Sequence, residues 1–131
     1  MSLRNLLFCA AVCLFAASIA SAQDAAKVDP KHYTVETENA QVRVLRVHYG
    51  PHEKSVMHSH PASVAVFLTD GSVRFTGPDG KTQDSTVKMG QVQYEPPQVH
   101  NPENTGDAPF DVIVIELKGG EPAVGTRPSE K

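Results

Sequence analysis

From Tyr33 onward, apolar and polar residues alternate in short runs with a period of two. Val42, Val44 and Arg46 alternate with Arg43, Leu45 and Val47. Over residues 63–69, Val64, Val66 and Leu68 share one parity, Ala65 and Phe67 the other. Successive side chains of a strand point to opposite faces, so this period predicts half-buried strands. Turn formers punctuate the runs. Asp70-Gly71 reads as a two-residue hairpin turn leading to a strand over 72–76. Gly77-Pro78-Asp79-Gly80 reads as a second tight turn, with a return strand over 82–87. Further strands are expected over 91–94, 100–104 and 111–117. Pro96-Pro97 should mark a bend, because proline cannot donate to a central ladder. The total is about eight or nine short strands with no convincing helix, the pattern of a β-sandwich or barrel.

The ends of the chain differ in composition. Arg4 precedes an apolar run over 6–19, interrupted only by Ser18, and Ala20-Ser21-Ala22 has the small-x-small form of a cleavage site. Residues 1–22 therefore read as a secretory signal peptide, with cleavage before Gln23 and a periplasmic or secreted product. The apolar run is shorter than the roughly 20 residues a membrane span needs, so no membrane attachment is expected after cleavage. Residues 23–32 form a polar lead-in, 33–118 the β domain, and 119–131 a flexible tail rich in glycine, proline and charge. Both cysteines, Cys9 and Cys13, fall in the leader. The mature chain would hold no disulfide, thiolate ligand or cysteine nucleophile.

Among 131 residues the formal charge is −3, and no basic block or basic-aromatic stripe occurs. Nucleic acid and anionic membranes are thereby excluded as expected partners. A domain this small leaves much of its surface uncovered, so a homodimer is compatible with its size.

The chemistry concentrates in histidines. His58-Ser59-His60 places two imidazoles on one face of an extended strand. His100, from a distant strand, would complete a three-nitrogen site for a divalent transition metal, with positions left open for other ligands. Asn104 is read as structural, turning the chain through its side-chain hydrogen bonds. His52 is read as a solvated loop residue, and His48 and His32 as surface residues. Glu95 and Glu116 could supply a carboxylate but are read as solvated acids or ion-pair partners. Gln93 and Tyr94 flank the approach to His100, and Tyr94 is expected to touch a cavity ligand. Phe67, Phe75 and Phe110 are assigned to the core.

Residues 50–104 resemble the cupins. The first cupin motif is matched by Gly50, His58-Ser59-His60 and Gly71, with Val64 where the motif carries glutamate. The second is matched by Gly90, Pro96, His100 and Asn104, one residue shorter than the pattern and lacking the glycine after the proline. More narrowly, the chain is similar to small single-domain bacterial cupins. The resemblance implies an all-β fold, a single-domain jelly-roll barrel, with His58, His60 and His100 holding Fe, Mn, Ni, Cu or Zn. Continuing the parity of His60 would turn Val64 and Val66 inward, lining the cavity with hydrocarbon. Three neutral imidazoles would leave the metal its full charge and favour an anionic or chelating small molecule.

Three functions follow from the resemblance: a metal-dependent enzyme of dioxygenase-like or isomerase-like type, a binding module without chemistry, and a metal-free scaffold. No second carboxylate stands at motif spacing to act as a general base, so no catalytic residue is assigned.

Overall fold

The structure, a computed structural model, describes residues 23–119. The proposed leader and all but the first residue of the proposed tail lie outside the described residues. The period-two segments form nine strands among them: β1 (Tyr33–Glu38), β2 (Val42–Tyr49), β3 (His58–His60), β4 (Ser63–Phe67), β5 (Gly71–Thr76), β6 (Thr82–Val87), β7 (Val92–Glu95), β8 (Gln98–Asn104) and β9 (Phe110–Leu117). They make two antiparallel sheets, one ordered β1-β2-β9-β4-β7 and the other β3-β8-β5-β6. The architecture is the expected all-β jelly roll.

The core lies between the sheets. Leu45, Val47 and Tyr49 of β2, Ala65 and Phe67 of β4, Val73 of β5, and Phe110 and Val112 of β9 are all buried. Each aliphatic or aromatic side chain withdrawn from water contributes roughly 1.5–3 kcal/mol. The longest ladder joins β2 to β9, from Val42 opposite Leu117 to Tyr49 opposite Phe110. Among the described residues, no helix is long and apolar enough to cross a membrane.

Three features depart from the reading of the sequence. Asp70-Gly71 does not close a hairpin. β4 pairs with β7 and β9, whereas β5 pairs with β6 and β8, so the chain passes here from one sheet to the other. Gly71 also lacks the positive φ of a tight hairpin turn. A Cβ at this position would lie 2.3 Å from Cδ2 of Phe110, so the glycine serves close packing. The second turn forms as expected: the Gly77 amide donates to the Lys81 carbonyl at 2.8 Å, and Gly80 takes φ +80°. Pro96-Pro97 separates β7 in one sheet from β8 in the other.

The lead-in is the second departure. It contains a single helical turn, α1 (Ala25–Val28), capped by Asp24, whose Oδ1 accepts from the Ala26 amide at 3.1 Å. Four residues are too few to show a helical period, so only the cap could have signalled it. α1 packs against both β1 and β3, and the Ser59 amide donates to the Gln23 carbonyl at 2.8 Å. The lead-in thus closes the barrel where the β1 edge meets the β3 edge.

The third departure is in β4. Pro61-Ala62 intervenes between β3 and β4, which belong to different sheets. Inward parity therefore resets, and it is Ser63, Ala65 and Phe67 that are buried.

Replacing Gly71 by alanine should lower stability by about 1–3 kcal/mol, the usual cost of overpacking. Urea unfolding would measure it. Adding Phe110→Leu should recover part of the loss, because the clash is with that ring.

Candidate metal centre

β3 pairs with β8 so that His58 faces His100 directly, Ser59 faces Val99 and His60 faces Gln98. His58 and His60 share a face because they are two residues apart, and His100 joins them from across the ladder. One ligating atom of each histidine lies within 4.8 Å of those of the other two. The ring centroids are 4.8, 5.0 and 5.4 Å apart, with planes at 85°, 89° and 77°. The imidazoles are thus set edge-on around a common point rather than stacked.

All three side chains are buried. His58 Nδ1 donates to the Val56 carbonyl at 2.8 Å, and His60 Nδ1 donates to Glu116 Oε1 at 2.8 Å. Each bond fixes the tautomer that leaves Nε2 with a free lone pair. Nε2 of His58 and both ring nitrogens of His100 are buried with no hydrogen-bond partner. A buried polar group left unpaired costs about 1–3 kcal/mol, and a cation would use the lone pair of His58 Nε2 and the one lone pair of neutral His100.

Burial, then the charge of His60, pushes His58 down to about 4. Burial, then His60 and His58, pushes His100 down to about 3. Both rings are therefore neutral at neutral pH, the form that ligates. Nitrogen donors, convergence, burial and protonation state all fit a divalent transition metal.

The surroundings are tightly built. Phe75 stacks on His100 with centroids 5.3 Å apart, and Tyr33 meets His58 edge-on at 4.8 Å. The Tyr33 and Tyr49 hydroxyls bond to each other at 2.7 Å. Glu116 is only 2% exposed, and its second oxygen is held by Arg43 through Nε at 2.7 Å and Nη2 at 2.6 Å.

Beside the histidines opens a cavity of about 480 Å³. His60 and His100 form part of its wall; Val47, Phe67, Phe110 and Val112 supply apolar lining. Its polar lining includes Gln93 and Glu95 on β7 and Gln83 and Ser85 on β6, the edge strands of the two sheets. Register places Glu95 opposite Ser63, and Ser63 opposite Glu116, in one inward-facing row. Burial alone raises the Glu95 carboxyl above its ordinary range.

Val64, Val66 and Tyr94 do not line this cavity. Val64 pairs with Tyr94 and Val66 with Val92 on the outer face of the sheet, and Tyr94 is 57% exposed. The cause is the parity reset at Pro61-Ala62, which β7 inherits through its ladder with β4. Ser63 and Ala65 are the inward residues, so no carboxylate projects into the site from β4.

His32 is not a surface residue either. It is buried between Asp29 Oδ2 at 2.7 Å and Glu53 Oε2 at 2.6 Å, and stacked on Tyr49 at 4.3 Å. His48 and His52 are exposed, bonded to Asp111 and Asp107. Phe67 and Phe110 are core residues. Asn104 is structural: its Nδ2 donates to the Gly50 and Ala108 carbonyls, and its Oδ1 accepts from Gly106.

Glu116 is an ion-pair partner as expected, but a buried one that also holds a histidine. Arg43 was missed, although a signal existed. Arg43 shares parity with Leu45 and Val47, and Glu116 with Val112 and Val114, so each charge sits on an inward position of an apolar strand.

A family model described as a cupin domain matches residues 45–116. A crystal structure of a cupin domain from Bordetella pertussis Tohama I is similar at 28% identity and a TM-score of 0.62, over 66% of this chain and 92% of that one. A conserved protein with a double-stranded β-helix domain from Klebsiella pneumoniae is similar at 23% identity and a TM-score of 0.54, over 66% and 76%. A cupin superfamily protein from Desulfitobacterium hafniense follows at 15% and 0.50, over 65% and 74%. The latter two likenesses concern the fold alone. No curated protein matches the chain.

The depressed histidines make stability depend on pH. Their folded values lie below the ordinary 6.5, so the unfolded chain takes up protons that the folded chain refuses. The metal-free protein should lose stability as pH falls below about 6.5, with the loss complete near 4 for His58 and near 3 for His100. Denaturant unfolding at a series of pH values would show it, and His100→Gln should flatten the slope.

Proposed function

The chain belongs to the cupin family, and on that footing we propose that it is an exported metal-dependent cupin that binds and transforms a small chelating molecule. His58, His60 and His100 would hold one Fe, Mn, Ni, Cu or Zn ion through imidazole nitrogen. One observation carries this reading: three buried imidazoles converge, and ring nitrogens of His58 and His100 have no hydrogen-bond partner among the described residues. When bound, such an ion supplies Lewis acidity and open coordination positions for a chelating head or oxygen.

The chain's own residues define the rest. The apolar lining from Val47, Phe67, Phe110 and Val112 accommodates a hydrocarbon body and excludes water. Among the described residues, Lys81 is the only lysine or arginine lining the cavity, and its side chain is 89% exposed. An anionic head would therefore meet its counter-charge at the histidine centre. Glu95 is the half-buried carboxyl of the cavity wall, and its raised pKa suits it to hold or accept a proton from a bound molecule. Export rests on the leader-like segment before Gln23. A binding module without turnover is the competing reading, supported by one observation: Glu116, the carboxylate that touches a ligating histidine, is already engaged by Arg43.

Elemental analysis of the protein purified without a histidine tag should find near-stoichiometric metal, and none in His60→Ala. Absence of metal after reconstitution would end the three-histidine reading. With metal present, oxygen uptake would be screened against small diketones and carboxylates. Glu95→Gln should retain metal while losing about 100-fold or more in turnover, within the span of general acid-base effects. Metal without turnover on any of them would favour the binding module.

A further inference from the structure

Two chains of hydrogen bonds run outward from the histidine centre, and both end on the lead-in. The first passes from His60 Nδ1 to Glu116 at 2.8 Å and from Glu116 to Arg43 at 2.7 and 2.6 Å. It then reaches Asp24, whose two oxygens each receive one Arg43 nitrogen at 2.7 Å. The second starts from the longer branch of the bond by which His58 Nδ1 reaches the Val56 carbonyl: the same N–H also faces Ser55 Oγ at 3.3 Å, and Ser55 Oγ donates to Asp29 Oδ2. Asp29 is buried, and the same oxygen meets His32 Nδ1 at 2.7 Å. Between the two, the amide of Ser59 is bonded to the Gln23 carbonyl. Three attachments thus converge on His58-Ser59-His60, from ten residues of sequence.

The character of these attachments is informative. A segment that merely covered a barrel edge would bury hydrocarbon alone. Within residues 23–32, however, the buried residues are Ala25, Asp29 and His32. Ala25 joins the apolar core, with Ala26 packed against it, and beside this the segment brings charge and hydrogen bonds aimed at the groups behind the ligands. Glu116 alone would be a buried carboxylate free to choose among orientations. Arg43 locks one oxygen, and Asp24 locks the guanidinium fork from its far side. Partners of this kind fix the orientation of a ligating histidine and raise its basicity.

We infer that residues 23–32 are a positioning element of the histidine centre, in which Asp24 acts on His60 through Arg43 and Glu116 and Asp29 acts on His58 through Ser55, so that docking of this segment sets metal affinity. This rests on the three-histidine metal reading.

The test uses the full chain, stripped of metal and titrated with Co²⁺, whose visible absorption reports ligand geometry. Asp24→Asn keeps the helix cap but removes the charge facing Arg43; Asp29→Asn does the same on the other arm. Each should weaken Co²⁺ binding by about 10- to 100-fold and shift the absorption of the bound ion. Asp84→Asn, which removes an exposed partner of Arg74 at the β5–β6 edge, the end of the sheet remote from β3, should bind within about twofold of the parent. A purely structural role would lower the melting temperature of the metal-free variants while leaving affinity and spectrum unchanged, and that result overturns the inference. If the parent chain itself binds no Co²⁺, the metal reading falls and takes this inference with it. Parent binding with unaltered variants sinks the inference alone.

Discussion

A three-residue strand decides whether this protein has a site at all. β3 is the minimum length that puts two side chains on one face, and its ladder with β8 brings His100 opposite His58. A slip of one residue would turn His100 away and bring Val99 or Asn101 into its place. Such a short ladder cannot hold its own register. It is held from outside by the Gln23 carbonyl on its free edge, by the Ser55 amide on the Pro102 carbonyl, and by the Asn104 amide on the Glu53 carbonyl. Asn104 then pins the far end of β8 to Gly50 and Ala108 through its side chain.

The two ends of the barrel follow different rules. Around Leu45, Phe67, Phe110 and Val112 the interior is hydrocarbon, and stability comes from removing it from water. Around His58, His60, His100 and Glu116 the interior is polar and partly unsatisfied, an arrangement that costs stability and has no packing rationale. Arg43 offsets some of that cost by neutralising Glu116, at the expense of drawing Asp24 into the network. Conflict of this sort between a local site and the general rule for interiors is expected where a protein does chemistry or binding.

Much of this was legible in the sequence. The strands, the Gly77–Gly80 turn, the break at Pro96-Pro97 and the shared face of His58 and His60 follow from period and spacing, the role of Asn104 from its residue type, and the joining of His100 to the other two from the resemblance to the cupin motifs. What escaped has one physical source: parity is a property of a single strand, and the chain changes sheets. Val64 and Val66 were placed inward by counting through Pro61-Ala62, where counting has no meaning. Tyr94 went wrong with them, since its face is set by its partner Val64. Asp70-Gly71 has hairpin composition, yet the ladder partners of β4 are β7 and β9, and no local signal announces that. His32 and Asp29 were hidden because their burial depends on a segment whose docking is entirely tertiary. Arg43 and Glu116, by contrast, were legible in principle as charges on inward positions of two neighbouring strands.

The two seams of the barrel differ in kind. Between β1 and β3 the lead-in is fastened by ion pairs and backbone bonds. Between β6 and β7 no ladder forms, and there the cavity is bordered by glutamine, serine and glutamate side chains. Among the described residues, no rung of either sheet ties this second seam, whereas the first is tied beside the histidines. The barrel is in effect a clothes-peg, fastened at the seam beside the imidazoles and unpaired at the seam that borders the cavity. Under the proposed reading, a bound molecule would then be selected at the fastened end, by what its leading atoms offer to the histidines.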